Sequence, residues 1–217
     1  MKNEQIIQKT ADYVKKSQEG ESTGHDWWHT YRVWKISCHI AKSEKADLFI
    51  VELAVLLHDI ADFKFHDGDD RAGAKVARQW LEKFRLEKEK INIICKIVEN
   101  VSFKGANVKS SIDTIEGKIV QDADRLDALG AIGIARTFAF GGHKGREIYN
   151  PEIKYKLHDS FTEYKNNKNT SINHFYEKLL LLKDRMNTKT GKAMAELRHR
   201  YMENFLEEFY KEWQGEI

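Results

Sequence analysis

The chain has 217 residues and a formal net charge of +2, so it is long enough for one sizeable domain and has no global field that favours a nucleic-acid partner. Hydrophobic residues make up 41% and charged residues 32%, which is typical of globular proteins with well-charged surfaces. No uncharged apolar run approaches the ~18 residues of a membrane span, the first residues lack the apolar core of a signal peptide, and Cys38 and Cys95 form no paired framework. We therefore expect a cytoplasmic protein without a membrane partner.

Apolar residues at helical spacing predict five helices in the first half of the chain. The first covers residues 5–16, and the second, which carries His29, ends near residue 41. The other three cover residues 47–58, 71–84 and 88–101. On the second helix, His29 shares a face with Val33 and Ile40 and therefore points toward the core. It is either a hydrogen-bonded core histidine or a metal ligand. A zinc pair with His25 is a weaker alternative, because the glutamate of an H-E-x-x-H motif is absent.

The third predicted helix ends in a histidine and an aspartate. Its apolar run from Leu48 to Leu57, broken only by Glu52, carries His58 and Asp59 toward the interior. Both side chains need partners there, because an isolated buried charge is costly. One interpretation is metal coordination. The other is a helix C-terminus at which His58 bonds the last carbonyls and Asp59 caps the following segment.

Three aspartates lie near the end of a sixth predicted helix, 115–128. Asp122 and Asp124 project about 160° apart at ~3.6 residues per turn, so they do not share a face. The helical neighbours of Asp124, Val120 and Ala128, are apolar, which favours Asp124 as the inward carboxylate. A solvated helix face is the alternative for the whole run.

The rest of the chain predicts three more helices and a basic loop. A short helix over 134–140 is followed by the glycine-rich segment 141–146, whose backbone N–H groups and cationic side chains could hold phosphate. Two further helices are predicted over 171–185 and 189–213. The inward residues predicted for the last helix are Met194, Leu197, Tyr201, Phe205, Leu206 and Phe209. Period-two strand patterning is missing, so the predicted fold class is all-α.

The order of His29, His58-Asp59 and Asp124 resembles the HD-domain phosphohydrolase superfamily. That superfamily is named for an adjacent His-Asp pair, which binds a metal together with an upstream histidine and a downstream aspartate. The segments that look like its small bacterial branch are His29–Val33, Leu56–Asp62, Asp122–Gly130 and Ser171–Leu179. The resemblance covers most of the chain and implies a single HD-domain helical bundle with a central metal site. Its metal core would span about 21–150, with the C-terminal helices, about 171–214, packed on it.

The resemblance implies that His29, His58, Asp59 and Asp124 are the metal ligands, with Asp122 as the alternative to Asp124. Two imidazoles and two carboxylates suit a divalent ion such as Mn²⁺, with Mg²⁺, Fe²⁺ or Zn²⁺ as alternatives. Open coordination positions would take a water and a phosphate oxygen, as metal-assisted phosphoester hydrolysis requires.

Further residues are candidates for catalysis and substrate binding. Asp62 lies one helical turn beyond His58 if the helix continues, so it is a candidate general base or acid, with a surface or capping aspartate as the alternative. A polyphosphate needs cations beyond the metal. The candidates for that role are Lys104, His143, Lys144 and Arg146.

The resemblance also implies a reaction. The members of the superfamily that this sequence resembles most cleave nucleoside triphosphates, notably deoxynucleotides, to monophosphate and pyrophosphate. The resemblance therefore implies a small-molecule nucleotide substrate. One alternative is a nucleotide phosphomonoesterase or phosphodiesterase, including one that acts on (p)ppGpp or cyclic nucleotides. Another is a non-catalytic, metal-stabilised nucleotide-binding module. The hydrophobic C-terminal helices either close the domain or form a homodimer.

Overall fold

A computed structural model describes residues 1–20, 26–60, 72–101, 111–157 and 169–216. Within these ranges the chain forms nine α-helices, two short 3-10 turns and no strand, which confirms the all-α prediction. No helix in the described ranges is both long and apolar enough to cross a bilayer. The described residues group into two compact units, one that ends at Asp124 and one that begins at Arg125. The predicted division into a metal core and packed C-terminal helices stays a prediction.

The first unit contains five complete helices and most of a sixth. They are α1 (Asn3–Ser17), α2 (Trp27–Glu44), α3 (Leu48–Leu57), α4 (Ala72–Glu82), α5 (Lys88–Asn100) and α6 (Ile115–Asp127). Each lies within a few residues of its predicted range. The N-caps explain two of these starts: Asp26 accepts a bond from the backbone N–H of His29, and Asp47 accepts bonds at the start of α3.

Helix α3 is the centre of the first unit, as its apolar sequence predicts. All of its residues except Leu48 and Glu52 are buried, and it packs against α1, α2 and α5. Glu52 links α3 to α2 by accepting a 3.0 Å hydrogen bond from Trp34 Nε1, and it lies 3.8 Å from Cys38 Sγ. Burial, followed by the charge and hydrogen bond of Glu52, raises the pKa of Cys38 to about 11.

Helix α4 buries a face that consists mostly of small residues. Its buried residues are Gly73, Ala77 and Leu81, whereas Ala72 and Val76 are only half-buried. The side chain of Trp80 is also half-buried and stacks on Tyr13 of α1, with ring centroids 3.9 Å apart. Small buried residues such as Gly73 and Ala77 allow a helix to approach its neighbours closely.

The second unit contains three helices: α7 (Gly130–His143), α8 (Ser171–Glu177) and α9 (Lys189–Gln214). Helix α7 is longer than the predicted 134–140. Helix α8 is shorter than the predicted 171–185, because Lys178 leaves helical geometry with φ −140° and two 3-10 turns follow, Leu179–Leu181 and Lys183–Arg185.

Three phenylalanines from α7, α8 and α9 form an aromatic core in this unit. The ring centroids of Phe138, Phe175 and Phe205 lie 5.8–6.1 Å from one another. On α9 the prediction was wrong for Leu197 and Tyr201, which are 68% and 56% exposed. The buried residues of α9 are Gly191, Ala195, His199, Met202 and Leu206, so the prediction is confirmed for Leu206.

Candidate metal centre

Helix α2 delivers His29 to the interior of the first unit. The side chain of Asp26 accepts a 2.9 Å hydrogen bond from the backbone N–H of His29, which fixes this residue in the first turn. Val33 and Ile40 lie on the same face and are fully buried. The His29 side chain is 1% exposed, so its orientation is set by packing.

The end of α3 orients His58 for coordination. His58 is buried at the C-cap of the helix, and its Nδ1–H donates a 2.7 Å hydrogen bond to the carbonyl oxygen of Val55. That bond places the proton on Nδ1 and leaves the Nε2 lone pair for another partner. The two interpretations of this histidine are therefore compatible: one ring nitrogen bonds a helix carbonyl, and metal coordination by the other stays a prediction.

Four side chains converge at this point. The Nε2 atoms of His29 and His58 lie 3.3 Å apart, and each lies 3.4 Å from Oδ2 of Asp59. Oδ1 of Asp124 lies 3.5 Å from His29 Nε2 and 3.9 Å from His58 Nε2. Residues spread over nearly a hundred positions thus present two nitrogens and two carboxylate oxygens to one small volume.

The structure distinguishes Asp124 from Asp122, the two aspartates that the sequence offered for the same ligand position. Asp124 brings a carboxylate oxygen to both imidazoles, and its side chain is 28% exposed. Asp122 is completely buried. The expectation that Asp124 is the more inward residue is therefore wrong in terms of burial.

The donor set fits a divalent cation. Two ligands about 2.1 Å from one ion and 90–109° apart are separated by about 3.0–3.4 Å, close to the spacings around His29 and His58. The ligand atoms of His29, His58 and Asp59 all lie within 4.8 Å of one another. Two imidazole nitrogens with two carboxylate oxygens match the mixed preference of Mn²⁺, Fe²⁺ or Zn²⁺. The assignment of these four residues as ligands stays a prediction that this geometry supports.

The other predicted site residues either lie outside the described ranges or belong to the second unit. Asp62, Lys104 and His25 lie outside the described residues. His143 is the last residue of α7, with Lys144 as its C-cap, and both are exposed. Their role, like that of Arg146, stays a prediction.

The glycine-rich segment 141–146 forms the end of helix α7. The N–H of Arg146 donates to the carbonyl oxygen of Gly141 at 2.8 Å, and the N–H of Gly145 donates to that of Gly142 at 3.1 Å. Gly145 has φ +64°, which is typical of a residue just past a helix end. These backbone donors are already used, so only the side chains could bind an anion.

Sequence reasoning missed a buried ion pair that follows Asp124. Asp127 is 1% exposed, and one of its carboxylate oxygens accepts a 2.7 Å bond from Arg136 Nη1. Arg198 donates to the carbonyl oxygen of Leu126 and Arg125 to that of Arg185. The signal in the sequence was Asp127, the third aspartate of the run, to which the helical pattern assigned no role.

The fold and the site together define a class of protein: an all-helical chain with a candidate divalent metal centre of two histidines and two aspartates. The family model of the HD domain matches residues 27–129, a range that contains all four residues. YpgQ from Bacillus subtilis is 40% identical over 217 residues, which cover 99% of this chain and 97% of that protein.

Solved structures agree with this match. The crystal structure of an HD-superfamily hydrolase from Bacillus thuringiensis is 46% identical, with a TM-score of 0.77 and coverage of 98% of this chain and 99% of that chain. The crystal structure of Bacillus subtilis YpgQ in complex with ADP is 36% identical when superposed, with a TM-score of 0.77 and coverage of 98% and 97%. The chain belongs to the HD-domain superfamily of hydrolases.

Proposed function

We propose that this protein is a metal-dependent phosphohydrolase that acts on nucleotides, with cleavage of (deoxy)nucleoside triphosphates to monophosphate and pyrophosphate as the favoured reaction. The observation that carries the proposal is the convergence of two imidazoles and two carboxylates at 3.3–3.9 Å. Manganese is the proposed ion, because this mixed nitrogen and oxygen set suits it.

In this proposal four residues hold the metal ion and one backbone carbonyl orients a ligand. His29, His58, Asp59 and Asp124 would hold the ion, and Val55 keeps the His58 ring in the coordinating orientation through its carbonyl oxygen. A divalent ion held there would supply Lewis acidity to an attacking water and to a phosphate oxygen.

Residues beyond the ligands would handle the proton and the remaining phosphate charge. Asp62 is proposed to take the proton from the water or to give one to the leaving group. Cationic side chains are proposed to neutralise the other phosphates. These are Lys104, His143, Lys144 and Arg146.

The nucleotide class has support from a relative. Bacillus subtilis YpgQ has been crystallised with ADP, and that protein covers nearly the whole of this chain. A nucleotide phosphomonoesterase or phosphodiesterase, including one for (p)ppGpp or cyclic nucleotides, would use the same four ligands. A metal-stabilised nucleotide-binding module would also keep them, but without turnover.

A panel of nucleotides incubated with the manganese-loaded protein tests the proposal. Release of pyrophosphate and a monophosphate from triphosphates is the expected result. Release of orthophosphate would contradict this reaction and support the phosphomonoesterase alternative. Binding without turnover would contradict it and support the binding-module alternative. The same panel run in chelator is the control and should show no product.

Substitutions at the centre test the ligand assignment. His58→Ala and Asp59→Ala should lose bound metal, measured by elemental analysis, and turnover together, because each removes a donor atom from the cluster. His39→Ala is the matched control, since His39 is an exposed histidine of the first unit. Full metal content and full activity in either centre variant would remove the proposed site.

We also propose a cytoplasmic location. Cys38 and Cys95 are both free thiols, which is the state that a reducing compartment maintains. A homodimer built on the C-terminal helices stays a prediction, and the molar mass in solution, measured by light scattering, would test it.

A further inference from the structure

A cleft lined by four tyrosines opens in the second unit. Its volume is about 650 Å³, within the range of roughly 300–1,000 Å³ that is common for small-molecule sites. It lies between the segment that follows α7 and the helices α8 and α9. The lining residues are Tyr149, Pro151, Ile153, Lys154, Tyr155, Asn173, Tyr176 and Tyr210. None of them belongs to the candidate metal centre.

One wall of this tyrosine cleft offers an open aromatic face. Tyr155 stacks on Tyr176 with ring centroids 5.0 Å apart and an angle of 18° between the planes. Tyr155 is nevertheless 49% exposed, so one face of its ring is covered and the other meets solvent. The segment is held on α8, because the amide of Asn173 donates a 2.7 Å bond to the carbonyl oxygen of Ile153. The open ring is therefore held in place before any ligand arrives.

The other wall is built from Tyr149 and Tyr210, whose rings meet edge to face at 5.5 Å. Burial raises the pKa of the Tyr210 hydroxyl, and a hydrogen bond with Tyr176 adds to the rise. The Tyr210 hydroxyl therefore stays protonated at neutral pH and is paired with the hydroxyl of Tyr176. A flat ring with polar edges matches this combination of aromatic faces and hydroxyl groups.

The charge of the cleft favours an anion. Lys154 is exposed at the cleft, and none of the eight lining residues is an aspartate or glutamate. An ammonium group beside aromatic walls fits a ligand that joins a planar ring to a negative group. An uncharged apolar ligand would make no use of the lysine.

We propose that the tyrosine cleft binds a nucleotide, with its base stacked on the open face of Tyr155 and its phosphate near Lys154. The nucleotide is either a free mononucleotide or one unit of a single strand, since both present a base and a phosphate. The proposal does not depend on hydrolysis at the metal centre, because the lining residues and the four candidate ligands do not overlap.

Equilibrium dialysis of AMP against the full chain in chelator tests this proposal. Chelator removes the contribution of the metal centre, so binding that remains reports on the cleft. Tyr155→Ala should weaken AMP binding about 5- to 150-fold, the range that a lost stacking interaction gives. Tyr155→Phe should keep it, because the ring is retained. Lys154→Ala should weaken binding and reduce its dependence on salt.

Tyr201→Ala is the matched control. Tyr201 is 56% exposed in the same unit but does not line the cleft, so this variant should bind AMP like the wild type. A short single-stranded oligonucleotide tested in parallel separates the two sources: tighter, Tyr155-dependent binding than AMP supports a strand, and weaker or equal binding supports a free nucleotide.

Two results would overturn the proposal: no binding of either probe in chelator, or equal binding by wild type and Tyr155→Ala. Neither result would affect the proposed hydrolysis, which is measured with metal present. Loss of turnover in His58→Ala with unchanged AMP binding in chelator would in turn leave the cleft intact. The two failures are therefore distinguishable.

Discussion

Replacement of Asp127 by alanine should destabilise the protein strongly, because it breaks a buried ion pair. The carboxylate is 1% exposed and lies 2.7 Å from Arg136 Nη1. Removing one partner of a buried pair costs roughly 3–5 kcal/mol, since the other group loses its countercharge. Arg136 is 25% exposed and partly hydrated, so we expect the lower end, about 3 kcal/mol. Burial lowers the pKa of the Arg198 guanidinium, and Asp127 opposes that shift, so a second cation also loses a partner.

The measurement is thermal unfolding followed by circular dichroism. For a chain of this length, about 3 kcal/mol corresponds to a fall in Tm of roughly 6–12 °C. Glu207→Ala is the control: Glu207 pairs with Lys211 at the same distance of 2.7 Å, but both side chains are exposed, so Tm should not change measurably. If Asp127→Ala shifts Tm no more than Glu207→Ala does, burial is not what makes the Asp127 pair strong.

Two further predictions concern close packing and the half-buried thiol of Cys38. A Cβ on Gly133 would lie 2.2 Å from the backbone oxygen of Ala128, so Gly133→Ala should cost more than about 3 kcal/mol in chemical denaturation; Gly142→Ala, with nothing within 4 Å, should be neutral or gain up to about 1 kcal/mol. Equal stability of the two variants would contradict this packing.

Because the pKa of Cys38 is raised to about 11, alkylation of this thiol, mapped by mass spectrometry, should be slow at pH 8 and rise toward pH 11, and Glu52→Gln should accelerate it. The folded state favours the protonated thiol, so its contribution to stability is complete below pH 9 and lost as the pH rises from 9 to 11. Fast alkylation at pH 8 in the wild type would refute the raised pKa.

The local pattern of the sequence determined most helices and the elements of the metal centre. Asp47 ahead of an apolar run defined the start of α3, and the length of that run placed His58 and Asp59 at its end. These features depend on neighbours within one or two turns, where side-chain periodicity and capping chemistry act. Helical spacing likewise predicted that His29 points inward, and its side chain is buried.

Contacts between distant segments decided which face of α9 is buried and which aspartate meets the two histidines. Leu197 and Tyr201 have the spacing of a buried stripe, yet α9 buries the face with Gly191 and Ala195, whose small size allows close approach. Asp124 meets both imidazoles although Asp122 is the more deeply buried of the two, and periodicity cannot reveal which carboxylate faces a site formed by three helices.

The sequence by itself determined which residue types could form a metal centre and on which helices they would lie. Only the tertiary structure decided that His29, His58, Asp59 and Asp124 share one small volume, and that four tyrosines form a cleft. The physical reason is that helical periodicity fixes direction around one axis, whereas distances between helices follow from how their side chains pack.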